Sequence, residues 1–496
     1  MKHFRRAVLF VVLLTLSLIG LQRLFIVGPF SSDERVGRDN HASFREQPDN
    51  SLDVVYVGAS NVYSFWESPI AWSRYGLASQ SYANWSMPPA AIRYIIDECR
   101  KTQPNALYVV NVNNFREEGN SALKHCHWTT DDMPLSREKI ELIQALCEQN
   151  GYDLDEAIEL VFPLLGFHST WSDLQSEDFA PQYANVGGAA TNARHFSTQD
   201  VTGSFNTCRN LRANLESYGP FDEESLRRDS LDDLIAYCKR EDVSILFVLQ
   251  PQAITDPEIL HNLNDLCAIV QEEGMDLVDL SDPALIGLDP ATDFWNPRHT
   301  NSHGSIKYTD YLARYITDTY IIPDRRSDER YAEWNETSKR YEQFLMTHNV
   351  REFEFDLPQY RADLRTYNLS ARNMHLFVKL AWSPASEADE YLVYRQEVKS
   401  IDNPATEENL ERYMWKRIAV LPSDATSYID LEACERHPLL GSATVSSEKD
   451  VETGIEEVQY DYTVIPVLHT EDGDVYGSYY SKRATAMLRC VAEEEA

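Results

Sequence analysis

A serine and a histidine that lie far apart in the chain have the types and settings that nucleophilic catalysis requires. Ser60 directly follows the apolar run 53–58, and His299 lies in a polar loop before the last helix of the same domain. A serine hydroxyl is a weak nucleophile unless a base within hydrogen-bond reach takes its proton. That base needs a third group to fix its tautomer. Ser60 and His299 are therefore the candidate nucleophile and base, and Asn296 or Asp293 would orient the histidine.

Both residues also have a plainer interpretation. Serine is a preferred N-cap, so Ser60 is also explained as the cap of the helix that follows it. His299 alone is equally well explained as a solvent-facing loop residue. Taken alone, neither Ser60 nor His299 decides between a catalytic role and the plainer interpretation.

The elements around these candidates predict a parallel sheet. Four short apolar runs, at 53–58, 106–112, 244–249 and 275–280, are typical of buried parallel strands. Amphipathic segments at 89–100, 231–239 and 259–273 alternate with them, which predicts an α/β domain with helices on both faces of the sheet. Ligands bind at the carboxyl edge of such sheets, and Ser60 lies at that edge.

The expected α/β domain spans residues 51–325 and contains an insertion at 117–220. The insertion carries predicted helices at 136–149 and 154–164, and a long insertion of this kind often covers a site. A helix is expected from 307 through 315. A C-terminal helical extension is expected at 326–350.

The first thirty residues predict a membrane anchor. Basic residues precede an apolar stretch from Ala7 to Val27, which as a helix would span roughly 30 Å, the thickness of one hydrocarbon core. Basic residues favour the cytoplasmic side, so 1–30 is expected to be a cytoplasmic tip and signal anchor, followed by a spacer at 31–50. A cleaved signal peptide, and hence a secreted protein, is the alternative. Both place the domains outside the cytoplasm.

A second domain is expected at 352–492. Strand-like segments with alternating polarity recur there between turn signals, which predicts a small β-sandwich. Its segments Leu380–Trp382, Tyr391–Arg395, Ser427–Asp430 and Tyr460–Val464 resemble a fibronectin type III domain. Eight cysteines are present, none in a CxxC pair. Cys434 and Cys490 are the expected disulfide, and the other six are explained equally well as isolated thiols.

The ordered motifs of residues 45–345 resemble the SGNH/GDSL hydrolase and acyltransferase superfamily. Gly58-Ala59-Ser60 resembles its first block, and Asn296-Pro-Arg-His299 falls where the family has Asp-x-x-His. A bacterial surface branch, similar to the D-alanine-transfer protein of teichoic acid modification, shares the further set Trp72, Gly76, Trp171, Gln250, Asn301, Gly304, Lys307, Thr309 and Tyr311.

The chain departs from this family at positions that bear on the site. Asn296 replaces the aspartate of the triad, and Asn61 replaces a histidine common after the serine. The resemblance implies oxyanion or substrate-binding residues, for which Asn61, Asn84 and Asn113 or Asn114 are positional candidates. Asn84, Asn113 and Asn114 are explained equally well as turn residues. Two more open interpretations exist for His168 in the insertion: a site-lining residue, or a buried histidine beside Trp171.

The resemblance implies an extracytoplasmic serine esterase or O-acyltransferase acting on cell-envelope polysaccharide or teichoic acid, with a membrane-bound O-acyltransferase as a possible partner. The alternative is the same fold with weak or no chemistry, serving as a surface scaffold or binding protein. A third interpretation lies between them, an accessory that passes an acyl group on without hydrolysing it.

The composition also argues against several other functions. A net charge of −34 repels phosphate backbones, so nucleic acid is not an expected partner. No P-loop, HExxH or GxGxxG motif is present, and no cofactor is expected. His125, Cys126 and His127 lack a second pair of ligands nearby, so no metal is expected either.

Overall fold

The computed structural model describes residues 44–116, 121–131, 133–167, 199–221 and 228–348. It also describes most strands between 359 and 491, and isolated helical positions before residue 19. The chain forms two compact units, Met1–Ser338 and Lys339–Ala496. The division falls inside the expected helical extension 326–350.

The first unit alternates strands and helices. Its strands are β1 (Val54–Gly58), β2 (Ser79–Ala83), β3 (Leu107–Asn111), β4 (Ile245–Leu249), β5 (Asp276–Asp279), β6 (Phe294–Asn296) and β7 (His299–Thr300). Its helices are α1 (Ser60–Phe65), α2 (Ser68–Tyr75), α3 (Ala91–Arg100), α4 (Leu123–Thr130), α5 (Arg137–Asn150), α6 (Leu154–Val161), α7 (Pro163–Phe167), α8 (Thr202–Ala213), α9 (Asp229–Glu241), α10 (Pro257–Glu272) and α11 (Ser302–Tyr320). Helix α12 (Ala332–His348) crosses into the second unit.

The expected parallel sheet flanked by helices is confirmed. Strands β1 to β5 form one five-stranded sheet in the order β2-β1-β3-β4-β5, and all of its pairs are parallel. Buried residues line both faces of this sheet in two separate clusters. The strand order reverses between β1 and β3, and the carboxyl ends of the strands at such a reversal are where doubly wound sheets bind ligands. Ser60 follows β1 at this point.

Strand β2 was not expected from the sequence. Its residues Ser79, Gln80 and Ser81 are polar but fully buried, so it lacks the apolar run that marks the other strands. The indole N–H of Trp66 donates to Ser79 Oγ at 3.1 Å, and this bond satisfies one buried hydroxyl.

A short hairpin carries His299. Strands β6 and β7 pair antiparallel, with Asn296 directly opposite His299 across the two-residue connection Pro297-Arg298. Helix α11 begins immediately afterwards, and the side chain of Asn301 caps it by accepting from the N–H groups of His303 and Gly304 at 3.2 and 3.1 Å. The residues that follow His299 thus build the junction between hairpin and helix.

The second unit contains two sheets. Its strands are β8 (Gln359–Arg361), β9 (Tyr367–Asn373), β10 (Val378–Ser383), β11 (Glu390–Val398), β12 (Lys416–Pro422), β13 (Ser427–Asp430), β14 (Ile455–Thr470), β15 (Gly473–Gly477) and β16 (Ala484–Val491), with a short helix α13 (Glu432–Glu435). One sheet has the order β13-β10-β9, and the other has β12-β11-β14-β15-β8 with β16 on β14. Residues of both sheets, including Leu380 and Tyr462, share one buried cluster. The expected C-terminal β-structure is therefore present as two sheets around a common core, antiparallel except for the parallel pair β15 and β8.

Some expectations lie outside the described residues. The predicted anchor, most of the spacer, His168 and Trp171 belong to this group, as do the side chains of Cys434 and Cys490. None of the helices within the described ranges has the length and apolar character needed to cross a bilayer. The six described cysteines are free thiols.

Candidate active site

The fold brings Ser60 and His299 into direct contact. The Oγ of Ser60 lies 2.9 Å from Nε2 of His299, although 239 residues separate them in sequence. Ser60 is the first residue of α1, and both side chains are partly buried. This is the distance at which an imidazole can take a proton from a serine hydroxyl.

The Asn296 side chain fixes the tautomer of His299. Its Oδ1 lies 3.0 Å from His299 Nδ1 and also accepts the backbone N–H of Arg298 at 2.8 Å. Because a backbone N–H is always a donor, the atom facing it must be the amide oxygen. The same oxygen then faces Nδ1, which must carry a proton, and this leaves Nε2 as the acceptor for the Ser60 hydroxyl. An amide at this position therefore supplies the productive tautomer.

The surroundings of His299 keep the ring neutral. Burial is the main cause that lowers its pKa to about 3, and the positive charges of Arg116 and Arg298 lower it further. The ring of Trp295 covers one face of the imidazole, with centroids 4.7 Å apart and planes at 19°. The base is thus unprotonated across the physiological range, but its low pKa makes it a weak base.

Asp293 does not reach the histidine that it was expected to orient. Its carboxylate is fully buried and accepts from Lys307 Nζ at 2.6 Å, from the backbone of Asp289 at 2.7 Å and from Thr292 Oγ1 at 3.0 Å. Burial raises its pKa, but the charges on His303 and Lys307 and the hydrogen bonds from Asp289 and Lys307 together lower the pKa below its usual value. Asp293 anchors the start of the hairpin to α11.

A second group of hydrogen bonds holds the two halves of the site together. Thr300 Oγ1 donates to the backbone oxygen of Ser64 in α1, which ties the hairpin to the helix that begins with Ser60. Ser305 Oγ donates to the buried carboxylate of Glu67 at 2.8 Å. Thr309 Oγ1 accepts from the backbone N–H of Glu67 at 2.8 Å. These contacts set the approach of α11 to α1, and with it the position of His299 relative to Ser60.

The structure separates the two adjacent oxyanion candidates. Asn113 is engaged in holding the turn that follows β3, since its Oδ1 accepts from the backbone of Gln250 at 2.9 Å. Asn114 is different because its Nδ2 is buried and has no hydrogen-bond partner among the described residues. That atom lies against Gly58, where any Cβ would collide with it. An unpaired donor beside the strand end that leads to Ser60 is suited to a developing oxyanion.

Asn84 and Asn61 also lie beside the segment that carries Ser60, since the backbone N–H of Asn84 donates to the Gly58 oxygen at 3.3 Å and Asn61 directly follows Ser60. Asn84 follows β2, and its Nδ2 donates to Thr129 Oγ1 at 2.9 Å, which joins the end of β2 to α4. Asn61 is buried in α1, and its Oδ1 has no partner within the described part of the chain. His168 lies outside the described residues.

The three neighbours in α4 point to separate partners. His127 Nδ1 pairs with Asp131 Oδ1 at 2.9 Å, His125 packs on Trp128, and Cys126 Sγ lies 3.9 Å from Tyr152 Oη. Across the described ranges, no group of three or more metal-ligating side chains comes together.

Sequence reasoning assigned no role to Trp295, Arg116 or Gln252. Gln252 accepts from Arg116 Nη1, and its own amide donates to the Arg298 backbone oxygen at 3.3 Å, so it links the turn after β3 to the hairpin. For Trp295 the sequence did contain a signal, because an aromatic residue stands directly before Asn296 in the segment that carries His299. The arginine and the glutamine had none, because only the fold brings their segments together.

Comparisons with known proteins leave the family open. No family model matches the chain, and no curated protein matches it. A solved structure of a Fn3-like protein from Clostridium thermocellum is 20% identical, covering 25% of this chain and 92% of that one, with a TM-score of 0.14. The spore cortex lytic enzyme SleM of Clostridium perfringens is 8% identical, covering 52% of this chain and 83% of that one, also with a TM-score of 0.14.

The pKa of His299 predicts an unusual pH profile. Because the ring loses its proton only near pH 3, the acid limb of kcat/KM for p-nitrophenyl acetate should lie near that pH, well below the ordinary histidine value of roughly 6.5. Asn296→Asp places a negative charge at Nδ1, which favours the cation and should move the limb upward. Circular dichroism over the same pH range controls for acid unfolding. An acid limb near pH 6.5 in the unaltered chain would contradict this assignment.

Asn114 is expected to matter for rate more than for folding. Removing one preorganised oxyanion donor costs on the order of 10²–10³ in kcat, so Asn114→Ala should slow p-nitrophenyl acetate hydrolysis by about that factor. Asn105→Ala is the matched control, because Asn105 is exposed near the opposite end of β3. Equal rates in the two variants would remove Asn114 from the site.

Proposed function

We propose that the chain is a serine esterase or O-acyltransferase of the SGNH type that acts on O-acyl groups of cell-envelope glycopolymers. The observation that carries this proposal is the relay Ser60 Oγ, His299 Nε2, His299 Nδ1 and Asn296 Oδ1, with successive distances of 2.9 and 3.0 Å. Its position at the strand-order reversal of the sheet adds support.

The first step transfers an acyl group to the enzyme. Ser60 Oγ attacks the acyl carbon while its proton passes to His299 Nε2, and the carbonyl electron pair moves onto oxygen, beside Asn114 Nδ2. When the intermediate collapses, the bond to the donor oxygen breaks. That oxygen takes the proton from the imidazolium, which leaves an ester on Ser60.

The second step removes the acyl group in reverse order. A glycan hydroxyl or water gives its proton to His299 and attacks the ester carbon. Collapse returns the proton to Ser60 and releases the acylated glycan or the free acid. Transfer and hydrolysis thus differ only in which hydroxyl enters.

The charges at the site favour an anionic polymer such as teichoic acid over a neutral one. Arg116 and Arg298 act electrostatically on His299, in a chain whose net charge is −34. Two guanidinium groups at the reaction centre would attract phosphate or carboxylate groups on a substrate that the remaining surface repels. The proposal places the protein at the cell membrane with its domains outside, or secreted, with a membrane-bound O-acyltransferase as a partner.

One observation favours the second candidate function, a surface scaffold with weak chemistry. Asn296 is neutral, and the pKa of His299 is lowered to about 3, so the base has little driving force for proton transfer.

Replacing the nucleophile separates the two functions. Ser60→Ala in the full chain should lower turnover of p-nitrophenyl acetate at least about 10³-fold and abolish an acyl-enzyme seen by intact mass spectrometry, with thermal unfolding unchanged. Ser73→Ala is the matched control, because Ser73 lies on α2 and its hydroxyl donates to the backbone oxygen of Ile70 in the same helix at 3.3 Å.

The outcomes distinguish three cases. An acyl-enzyme that forms but does not turn over indicates a transferase that requires its acceptor. Turnover that survives Ser60→Ala would contradict the enzyme proposal. The absence of both turnover and acyl-enzyme in the unaltered chain would favour the scaffold.

A further inference from the structure

Trp295 occupies its position because the hairpin is irregular. Phe294 pairs with Thr300 and Asn296 pairs with His299, so one extra residue, Trp295, lies between two consecutive pairs. A bulge of this kind redirects a side chain, and bulges are frequent beside active sites. As a result both Trp295 and Asn296 contact His299, one through its ring face and the other through its amide oxygen.

Within the described part of the chain, the charged groups that shift the pKa of His299 are positive and oppose its imidazolium form. In a triad with a carboxylate, that group stabilises the cation formed when the serine proton is taken. Asn296 carries no charge. The charges that act on the ring come from Arg116 on the turn after β3 and from Arg298 in the hairpin, and both oppose a further positive charge. Asp293, the nearby carboxylate, is bound by Lys307.

The indole ring of Trp295 can stabilise the imidazolium cation of His299. The indole face carries the negative end of the ring quadrupole, and tryptophan is the strongest aromatic partner for a cation. The centroid distance of 4.7 Å lies within the roughly 6 Å over which this attraction acts. The interplanar angle of 19° places the imidazole flat over the indole.

We propose that the indole of Trp295 stabilises the imidazolium form of His299, the task that a triad carboxylate performs, while Asn296 only orients the ring. Trp295 is thus a positioning and electrostatic residue that acts through His299. The inference rests on the proposed function to the extent that His299 takes a proton during turnover. The stabilisation itself is a property of the resting protein and can be measured without catalysis.

The direct test titrates His299 by nuclear magnetic resonance in the full chain, with its signal identified by its loss in His299→Gln. The Asn296→Asp background is used because a carboxylate at Nδ1 raises the pKa into an accessible range. Adding Trp295→Leu should lower that pKa by about 0.4 to 1.5. Trp295→Phe keeps an aromatic face and should lower it less.

A pKa that stays constant or rises in Asn296→Asp/Trp295→Leu overturns the inference, since it would mean that the indole only shields the ring from water. If the leucine variant does not fold, Trp295→Met provides a second apolar side chain without a ring.

A rate measurement connects the inference to the reaction. With Asn296 unchanged, Trp295→Leu should slow labelling of Ser60 by a fluorophosphonate by about 2- to 30-fold, and Trp295→Phe should recover most of the rate. Equal losses in both variants contradict the role of the ring face. If the pKa falls as expected but the unaltered chain is never labelled, the proposed function fails and the inference about Trp295 stands. If Ser60 is labelled but the pKa of His299 does not fall, the inference about Trp295 fails and the proposed function stands.

Discussion

The amide oxygen of Asn296 accepts two hydrogen bonds, and the arrangement of the candidate site depends on this shared atom. One bond comes from the Arg298 backbone and the other from His299 Nδ1. The first bond requires that the amide oxygen of Asn296, and not its nitrogen, faces the hairpin. The second bond therefore requires that the imidazole carries its proton on Nδ1. The two-residue connection between β6 and β7 makes this possible, because it sets Asn296 directly opposite His299. The spacing of three residues between them is thus a consequence of hairpin geometry.

The other half of the site comes from the order of the strands. The strand order reverses between β1 and β3, and the turns that follow these two strands deliver Ser60 and Asn114 to the same edge. Gly58 allows the Asn114 amide to lie against the end of β1, because a side chain there would displace it. Buried polar contacts then hold the hairpin at this edge: Thr300 of the hairpin bonds α1, and Ser305 of helix α11 bonds Glu67. Such contacts are directional, so they fix a distance between two segments that apolar packing alone would leave loose.

Much of this arrangement follows from the sequence, and the remainder depends on tertiary contacts. Apolar runs predict β1, β3, β4 and β5, but the buried polar strand β2 has no such signal. The sequence placed Ser60 and His299 at one edge but left the choice between Asn296 and Asp293 open, because a loop has no fixed geometry until its strands pair. Neither could it separate Asn113 from Asn114, since only the turn after β3 determines which amide faces Gly58. Trp295 depends on a bulge, which spacing does not reveal.

The central claim is that Ser60 is a nucleophile activated by His299. Its most direct test is to react the full chain with a fluorophosphonate and locate the adduct by peptide mass spectrometry. The account predicts modification of Ser60 alone among the serines, and its loss in His299→Gln while the fold is retained. An adduct spread over several serines, or one on Ser60 that persists at the same rate without the imidazole, would contradict it.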